Sequence, residues 1–175
     1  MRTLVLGGIR SGKSKWAETA VAESLAPGET VRYLATGPAP DTDGHWSQRV
    51  AEHRARRPGH WSTVETADIA TQLRQSSDVT TLVDDLGGWL TAALDHRGWA
   101  AGSVSADVDD LVAAVASFGS PLVLVSPEAG LTVVPATESG RRFADELGTL
   151  NQRLAAVCDR VVLVVAGHPL PIKAG

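Results

Sequence analysis

The stretch that decides the fold is GGIRSGKS, which runs from Gly7 to Ser14. It fits the pattern G-x-x-x-x-G-K-[ST], in which glycines let the backbone N–H groups turn toward phosphate oxygens. Lys13 would neutralise the outer phosphates, and Ser14 could ligate Mg²⁺. The apolar run RTLVLGG before the loop predicts a strand, and SKWAETAVAESL after it predicts an amphipathic helix. This context favours a phosphate-binding loop.

Two other interpretations of this stretch exist. A Gly/Ser-rich turn that happens to contain a lysine would give the same letters without any ligand. A dinucleotide-binding G-x-G-x-x-G is excluded, because Ile9 occupies the place of the second glycine. The strand before the loop and the helix after it favour phosphate binding over the bare turn.

Outward from the loop, short β-branched runs alternate with longer amphipathic ones. The runs VRYLATG, TTLVDD, PLVLVS and RVVLVVAG are nearly continuous in apolar residues, which is typical of strands buried on both faces of a parallel sheet. Helices are expected at 13–25, about 46–57, 88–96, 106–117 and 138–157. The β-α-β-α order predicts an open, mainly parallel sheet with helices on both faces, formed by one domain over residues 1–175.

Composition excludes several classes of protein. The 175 residues are 43% hydrophobic and 21% charged, with a net charge of −4, which argues against a general nucleic-acid binder. No apolar run approaches the roughly 20 residues of a membrane helix, so we expect no membrane segment and a cytoplasmic location. Cys158 is the single cysteine, and its apolar neighbours predict a buried thiol.

The predicted strand TTLVDD ends in two acids. A phosphate loop needs a second metal anchor, usually an acid at the end of a neighbouring strand. Asp84 is the preferred anchor, because it emerges where the strand ends, at the edge at which open α/β sheets bind ligands. The alternative is that both Asp84 and Asp85 cap the helix that follows.

The segment SQRVAEHRARR, residues 47–57, concentrates positive charge around His53. In a helix, Arg49, Arg56 and Arg57 would share a face with the histidine. Positive neighbours disfavour a second positive charge, so the imidazole is expected to stay neutral and to act as a nucleophile toward phosphorus. The alternative is a solvated helix face on which Glu52 pairs with an arginine.

Three segments together resemble one known family. GGIRSGKS, RVAEHRARRPGHW and the long VVPATESGRRFADELGTLNQRLAAVCDRVVLVVAGHPLPIK are similar to the bifunctional adenosylcobinamide kinase/adenosylcobinamide-phosphate guanylyltransferase family of cobalamin biosynthesis. The resemblance runs from the first predicted strand to the last and is weakest over residues 97–121. With the residue patterns, it predicts an α/β, P-loop NTPase-type three-layer fold with a mainly parallel central sheet.

The resemblance also implies chemistry and residues. Members phosphorylate adenosylcobinamide, with ATP or GTP as the nucleotide, then move GMP from GTP onto adenosylcobinamide phosphate through a GMP-histidine intermediate; the phosphate-loop chemistry implies Mg²⁺. His53 matches the nucleophile, Lys13 is the second catalytic residue, and Ser14 and Asp84 would hold the metal. The implied nucleotide contacts are Gly7, Gly8, Ile9, Arg10, Ser11, Gly12, Lys13, Ser14, Ala35, Thr36, Gly37, Arg54, Ala55, Arg56, Arg57, Glu65 and Asp84.

The chain departs from the family pattern at two places. Members commonly show N-E-V-G where this chain has Pro127 to Gly130, and a threonine pair where it has Gly87 and Gly88. Two rivals stay open: a simple small-molecule kinase in which His53 is structural, and a silent nucleotide-binding regulatory module, which these departures motivate. The resemblance further implies a homo-oligomer, a trimer, without a nucleic-acid or membrane partner.

Overall fold

A seven-stranded sheet forms the centre of the protein. The computed structural model describes residues 1–26, 28–36, 58–131 and 133–175. The strand order is β3-β2-β4-β5-β1-β6-β7, and every neighbouring pair is parallel except β6 and β7. The strands are β1 (Arg2–Gly7), β2 (Arg32–Ala35), β3 (Ser62–Glu65), β4 (Thr81–Asp84), β5 (Leu122–Pro127), β6 (Arg160–Val165) and β7 (His168–Lys173).

Helices cover both faces of this sheet. They are α1 (Lys13–Ser24), α2 (Ile69–Gln75), α3 (Leu86–Arg97), α4 (Ser105–Ala116) and α5 (Glu138–Val157). Alternate strand residues divide between two cores: Leu4 packs with residues of α2 to α5, whereas its neighbour Val5 packs with α1. The predicted α/β architecture with a mainly parallel sheet and helices on both faces is therefore confirmed.

The strand register brings four chain segments to one edge of the sheet. Gly7 at the end of β1 lies opposite Pro127 at the end of β5, and Asp84 at the end of β4 lies opposite Ala35 of β2. Because the strands are parallel, the residues that follow them emerge side by side. The carboxyl edge of the sheet is also where open α/β folds bind ligands.

Three elements were not predicted from the sequence. Strand β3 lies at one end of the sheet and is largely exposed, so STVE lacks the apolar run that marked the other strands. Strand β7 contains Pro169 and Pro171, which are tolerated there because it is an edge strand. Helix α2 is short, and it begins after Asp68, whose side chain accepts a hydrogen bond from the Thr71 N–H.

The remaining sequence predictions concern the start of α3, the burial of Cys158, membrane helices and a helix near residue 50. Helix α3 begins two residues earlier than predicted, because Asp85 caps it and brings Leu86 into its first turn. Cys158 is buried, as predicted. None of the helices in the described part of the chain is both long and apolar enough to cross a membrane. The helix expected at about 46–57 lies outside the described residues.

Candidate active site

The phosphate-binding loop joins β1 to α1 in a tight turn. The Ser11 N–H donates to the Gly8 carbonyl at 3.2 Å, and the Trp16 N–H donates to the Gly12 carbonyl at 2.9 Å. Arg10 and Gly12 have φ angles of 57° and 92°, both in the left-handed region. Ile9 precedes Arg10 and has 88% of its surface exposed, so it contributes backbone to the loop and no core packing.

Space restricts Gly7, and both space and conformation restrict Gly12. A Cβ on Gly7 would lie 2.4 Å from Ser11 Oγ and 2.8 Å from the Val164 carbonyl oxygen. A Cβ on Gly12 would lie 3.1 Å from the Cα of Gly167. At Gly12 the positive φ adds strain for any other residue, because an L side chain rarely adopts this region. The glycines of the motif thus permit this particular turn.

The turn between β6 and β7 supports the loop from the side. Ala166 and Gly167 both have positive φ, at 51° and 82°, as a two-residue hairpin turn of the primed type requires. The Gly167 N–H donates to the Ser11 carbonyl at 2.7 Å. The last hairpin of the chain therefore contributes to the shape of the loop near the amino terminus, which the sequence analysis did not anticipate.

Lys13 and Ser14 are the first two residues of α1, and both are half-buried. The N-cap position belongs to Gly12, which has no side chain, and of the first helical N–H groups that of Lys13 donates to Ser11 Oγ at 3.3 Å. Free N–H groups and the positive end of the helix dipole make such a terminus a site for phosphate. The structure thus sets the backbone donors, the lysine and the serine side by side.

Asp84 and Asp85 have different environments: Asp84 contacts the phosphate loop, and Asp85 caps α3. Ser14 Oγ donates to Asp84 Oδ1 at 3.1 Å, which brings the end of β4 to the phosphate loop. The Asp85 carboxylate instead accepts from the Gly88 N–H at 2.8 Å and caps α3. Burial raises the pKa of Asp85 above its ordinary value, and the charge of Asp84 raises it further.

The end of β2 completes the described part of the edge. Thr36 is 4% exposed, and its N–H donates to the Asp84 carbonyl at 3.3 Å, while its hydroxyl donates to the Asp85 carbonyl. Ala35 lies in register with Asp84 on one side and with the exposed Glu65 on the other. The remaining predicted site residues lie outside the described residues: Gly37, His53, Arg54, Ala55, Arg56 and Arg57.

Tyr33 is a residue of this site that the sequence analysis missed. Its hydroxyl donates to Asp84 Oδ2 at 2.6 Å from inside the core, where the side chain is 1% exposed. No local signal could have found this contact, because an aromatic residue in a strand normally indicates core packing alone.

The two departures from the family pattern touch each other. A Cβ on Gly87 would lie 2.7 Å from Cγ of the Pro127 ring, so the glycine makes room for the proline. The Pro127 carbonyl accepts from Asn151 Nδ2 at 3.0 Å, and Ser126 Oγ donates to Asn151 Oδ1 at 2.6 Å. Pro127 at the end of β5 and Gly87 at the start of α3 therefore form one packing arrangement.

The donor set at this edge fits Mg²⁺. A serine hydroxyl and a carboxylate are hard oxygen ligands, and Mg²⁺ is usually held by one or two carboxylates together with substrate phosphates. Among residues 1–26, 28–36, 58–131 and 133–175, no group of three or more His, Cys, Asp and Glu side chains could hold a metal by itself. Ser14 and Asp84 are therefore suited to a metal that arrives with a nucleotide.

Comparison with protein families gives one match over almost the whole chain. Residues 3–172 match the family described as CobU: Cobinamide kinase / cobinamide phosphate guanyltransferase. The chain is 44% identical to the bifunctional adenosylcobalamin biosynthesis protein CobP of Pseudomonas aeruginosa, over 99% of this chain and 98% of that protein. It is 36% identical to CobU of Salmonella typhimurium, over 99% of this chain and 100% of that protein.

Among solved structures, the chain is similar to an ATPase from the type III secretion system of pathogenic bacteria. The TM-score is 0.57 at 16% sequence identity, and the likeness covers 93% of this chain and 51% of the ATPase chain. The chain thus spans about half of that protein, and the likeness concerns the fold alone. It agrees with the predicted fold class of nucleotide-binding α/β proteins.

Proposed function

Because the chain belongs to the cobinamide kinase / cobinamide phosphate guanyltransferase family, we propose that the carboxyl edge of its sheet carries both reactions of that family. The protein is a bifunctional enzyme of cobalamin biosynthesis that phosphorylates cobinamide and transfers a guanylyl group to the product. The observation that carries the placement is the hydrogen bond from Ser14 to Asp84, which joins the phosphate loop to the end of β4.

For the kinase step, we assign the phosphates of ATP or GTP to the backbone of Gly7 to Ser14. Lys13 would lie against the outer phosphates, and Ser14 and Asp84 would hold Mg²⁺. When bound, Mg²⁺ would offset the negative charge of the phosphates. The aminopropanol hydroxyl of adenosylcobinamide then attacks the γ-phosphorus, the bond to the bridging oxygen breaks, and the nucleoside diphosphate leaves. The protein chiefly positions the reactants and neutralises the charge of the phosphates, which is typical of phosphoryl transfer.

For the transfer step, we assign the nucleophile to His53. Its imidazole nitrogen attacks the α-phosphorus of GTP, a P–N bond forms, and pyrophosphate leaves. The phosphate of adenosylcobinamide phosphate then displaces the histidine and gives adenosylcobinamide-GDP. Arg54, Arg56 and Arg57 would hold the nucleotide and offset charge in the transition state. Support for these four residues comes from the RVAEHRARRPGHW segment and its resemblance to the family.

The two reactions can be separated by analysing products in three variants. Wild type with ATP, GTP, Mg²⁺ and adenosylcobinamide should give first the phosphate and then adenosylcobinamide-GDP, resolved by mass spectrometry. Lys13→Ala and Asp84→Asn should lose the phosphate product, whereas His53→Asn should accumulate it without the GDP product. Conversion of the phosphate to the GDP product by His53→Asn at the wild-type rate would exclude His53 as the nucleophile.

A burst measurement addresses the intermediate separately. Without a corrinoid, wild type with GTP should release about one pyrophosphate per chain and then stop, since a covalent intermediate accumulates. Pyrophosphate release that needs the corrinoid from the first turnover would favour a direct transfer.

We also propose a homo-oligomer, a trimer as the resemblance implies. Light scattering of the purified chain would measure its oligomeric state.

A further inference from the structure

Tyr33 has an unusual position for a hydroxyl group. Its ring packs in the core on the α1 side of the sheet, together with Val5, Trp61 and Leu82. A phenylalanine would fill the same space without a polar atom. A phenol in a core is tolerated when it has a partner, and this one donates to Asp84 Oδ2 at 2.6 Å. The distance is short for an O–H···O hydrogen bond.

Three groups together fix Asp84. The Thr36 N–H holds its main-chain carbonyl at 3.3 Å, and Ser14 Oγ donates to Oδ1 at 3.1 Å. Tyr33 holds the other carboxylate oxygen from inside the protein. With Oδ2 held in this way, rotation of the carboxylate about its own bond would break a short hydrogen bond. Oδ1 therefore stays turned toward the phosphate loop.

We propose that Tyr33 is a positioning residue for the metal and nucleotide site, acting through the Asp84 carboxylate. This inference rests on the proposed function, in which Ser14 and Asp84 hold the metal. Hydrogen bonds behind a metal ligand orient it, and their removal typically lowers metal affinity about 10- to 100-fold. Deleting the Tyr33 hydroxyl should therefore raise the Mg²⁺ concentration that half-saturates the GTP complex by about that factor.

The contrasting view is that the hydroxyl merely satisfies the core. In that case Tyr33→Phe changes the stability of the fold and leaves metal binding as it was. The positioning role predicts a different result: Tyr33→Phe binds GTP in EDTA with the wild-type affinity, whereas the Mg²⁺ dependence of its GTP binding shifts. The comparison is one of two binding constants, so a uniform loss of folded protein cannot imitate it.

In the experiment, Mg²⁺ is titrated into wild type, Tyr33→Phe and two reference variants in the presence of GTP, and calorimetry measures the binding. Electron paramagnetic resonance measures Mn²⁺ binding to the same proteins. Thr81→Val is the matched control, because it deletes a buried hydroxyl that donates to the Val79 carbonyl at the other end of β4. It should bind metal as wild type does. Asp84→Asn shows how much the affinity for metal falls when the anchor itself is lost.

The outcomes separate the two proposals. A shift in Tyr33→Phe and Asp84→Asn but not in Thr81→Val supports the inference. A shift in Asp84→Asn alone overturns the role of Tyr33 and leaves the metal anchor intact. No shift in Asp84→Asn overturns the assignment of the anchor, and with it the premise of the inference.

A second measurement keeps the test valid if Tyr33→Phe folds poorly. Tyr33 is the single tyrosine of the chain, so 3-fluorotyrosine labels this position alone. Its ¹⁹F resonance in the GTP complex should shift as Mg²⁺ is added, and the shift should be lost in Asp84→Asn. A resonance that ignores Mg²⁺ in the wild-type GTP complex would contradict the coupling.

Discussion

The contact between Gly87 and Pro127 makes a quantitative prediction for the double change Gly87→Ala and Pro127→Ala. The new methyl group of Gly87→Ala would lie 2.7 Å from Pro127 Cγ and 3.2 Å from Pro127 Cδ. Carbon atoms pack best at about 3.5–4.0 Å, so the closer contact is about 1 Å too short. The proline ring cannot rotate away, because its atoms are bonded back to the main chain.

Two terms decide the size of the effect. Overpacking of this kind costs about 1–3 kcal/mol. Replacing glycine by alanine in a helix stabilises the fold by up to about 1 kcal/mol. Gly87→Ala alone should therefore lower the free energy of unfolding by about 1–2 kcal/mol. In the Pro127→Ala background the ring atoms are gone, and the same change should stabilise by about 0.5–1 kcal/mol. The predicted coupling energy is about 2 kcal/mol.

Urea denaturation of the wild type, the two single variants and the double variant measures the coupling. Gly148→Ala in α5 is the matched control, because a Cβ there meets nothing within 4 Å. It should have the same effect in both backgrounds, to within about 0.5 kcal/mol. Additive effects of Gly87→Ala and Pro127→Ala would refute the view that the two departures form one packing arrangement.

Three further predictions concern the loop, the thiol and acid stability. Gly12→Ala should weaken GTP binding in calorimetry about tenfold, because a left-handed φ costs about 1–2 kcal/mol for a residue with a Cβ; an unchanged dissociation constant would contradict the role of the loop conformation. Burial raises the pKa of Cys158 to about 11, so the thiol should resist a thiol reagent at pH 8 until urea unfolds the protein; rapid labelling of folded protein would count against it. Hydrogen bonds from Arg2 lower the pKa of Asp159 to about 2, so its stabilising contribution is present above its ordinary value of 3.8 and lost as the pH falls toward 2. Asp159→Asn should therefore be less stable than wild type at pH 6, with a difference that shrinks below pH 4; a difference independent of pH would show that the ion pair contributes nothing.

The sequence predicted those parts of the fold in which one local signal is strong. The apolar run of β1, the glycines of the loop and the amphipathic α1 agree with one another, so strand, turn and helix were all placed correctly. Strands β3 and β7 were not, because edge strands need no apolar run and tolerate proline. Their place in the sheet depends on neighbours distant in the chain.

The site was predicted to a similar degree. The acids at the end of TTLVDD favoured Asp84 as the anchor, and in the structure Asp84 accepts a hydrogen bond from Ser14 of the phosphate loop, whereas Asp85 caps α3. Tyr33 of β2 contacts Asp84 of β4, and Gly167 of the β6–β7 turn contacts Ser11 of the phosphate loop. Such contacts are set by sheet order, which no short pattern contains.

The most direct test of the enzymatic account is covalent labelling by GTP carrying a radioactive α-phosphate, with Mg²⁺ and without a corrinoid. Wild type and the control His60→Asn should retain label through denaturing electrophoresis, and the label should resist base and be lost in acid, as a P–N bond would. His53→Asn should carry none. Label on His53→Asn, or no label on wild type that binds GTP normally, would contradict a guanylylated His53.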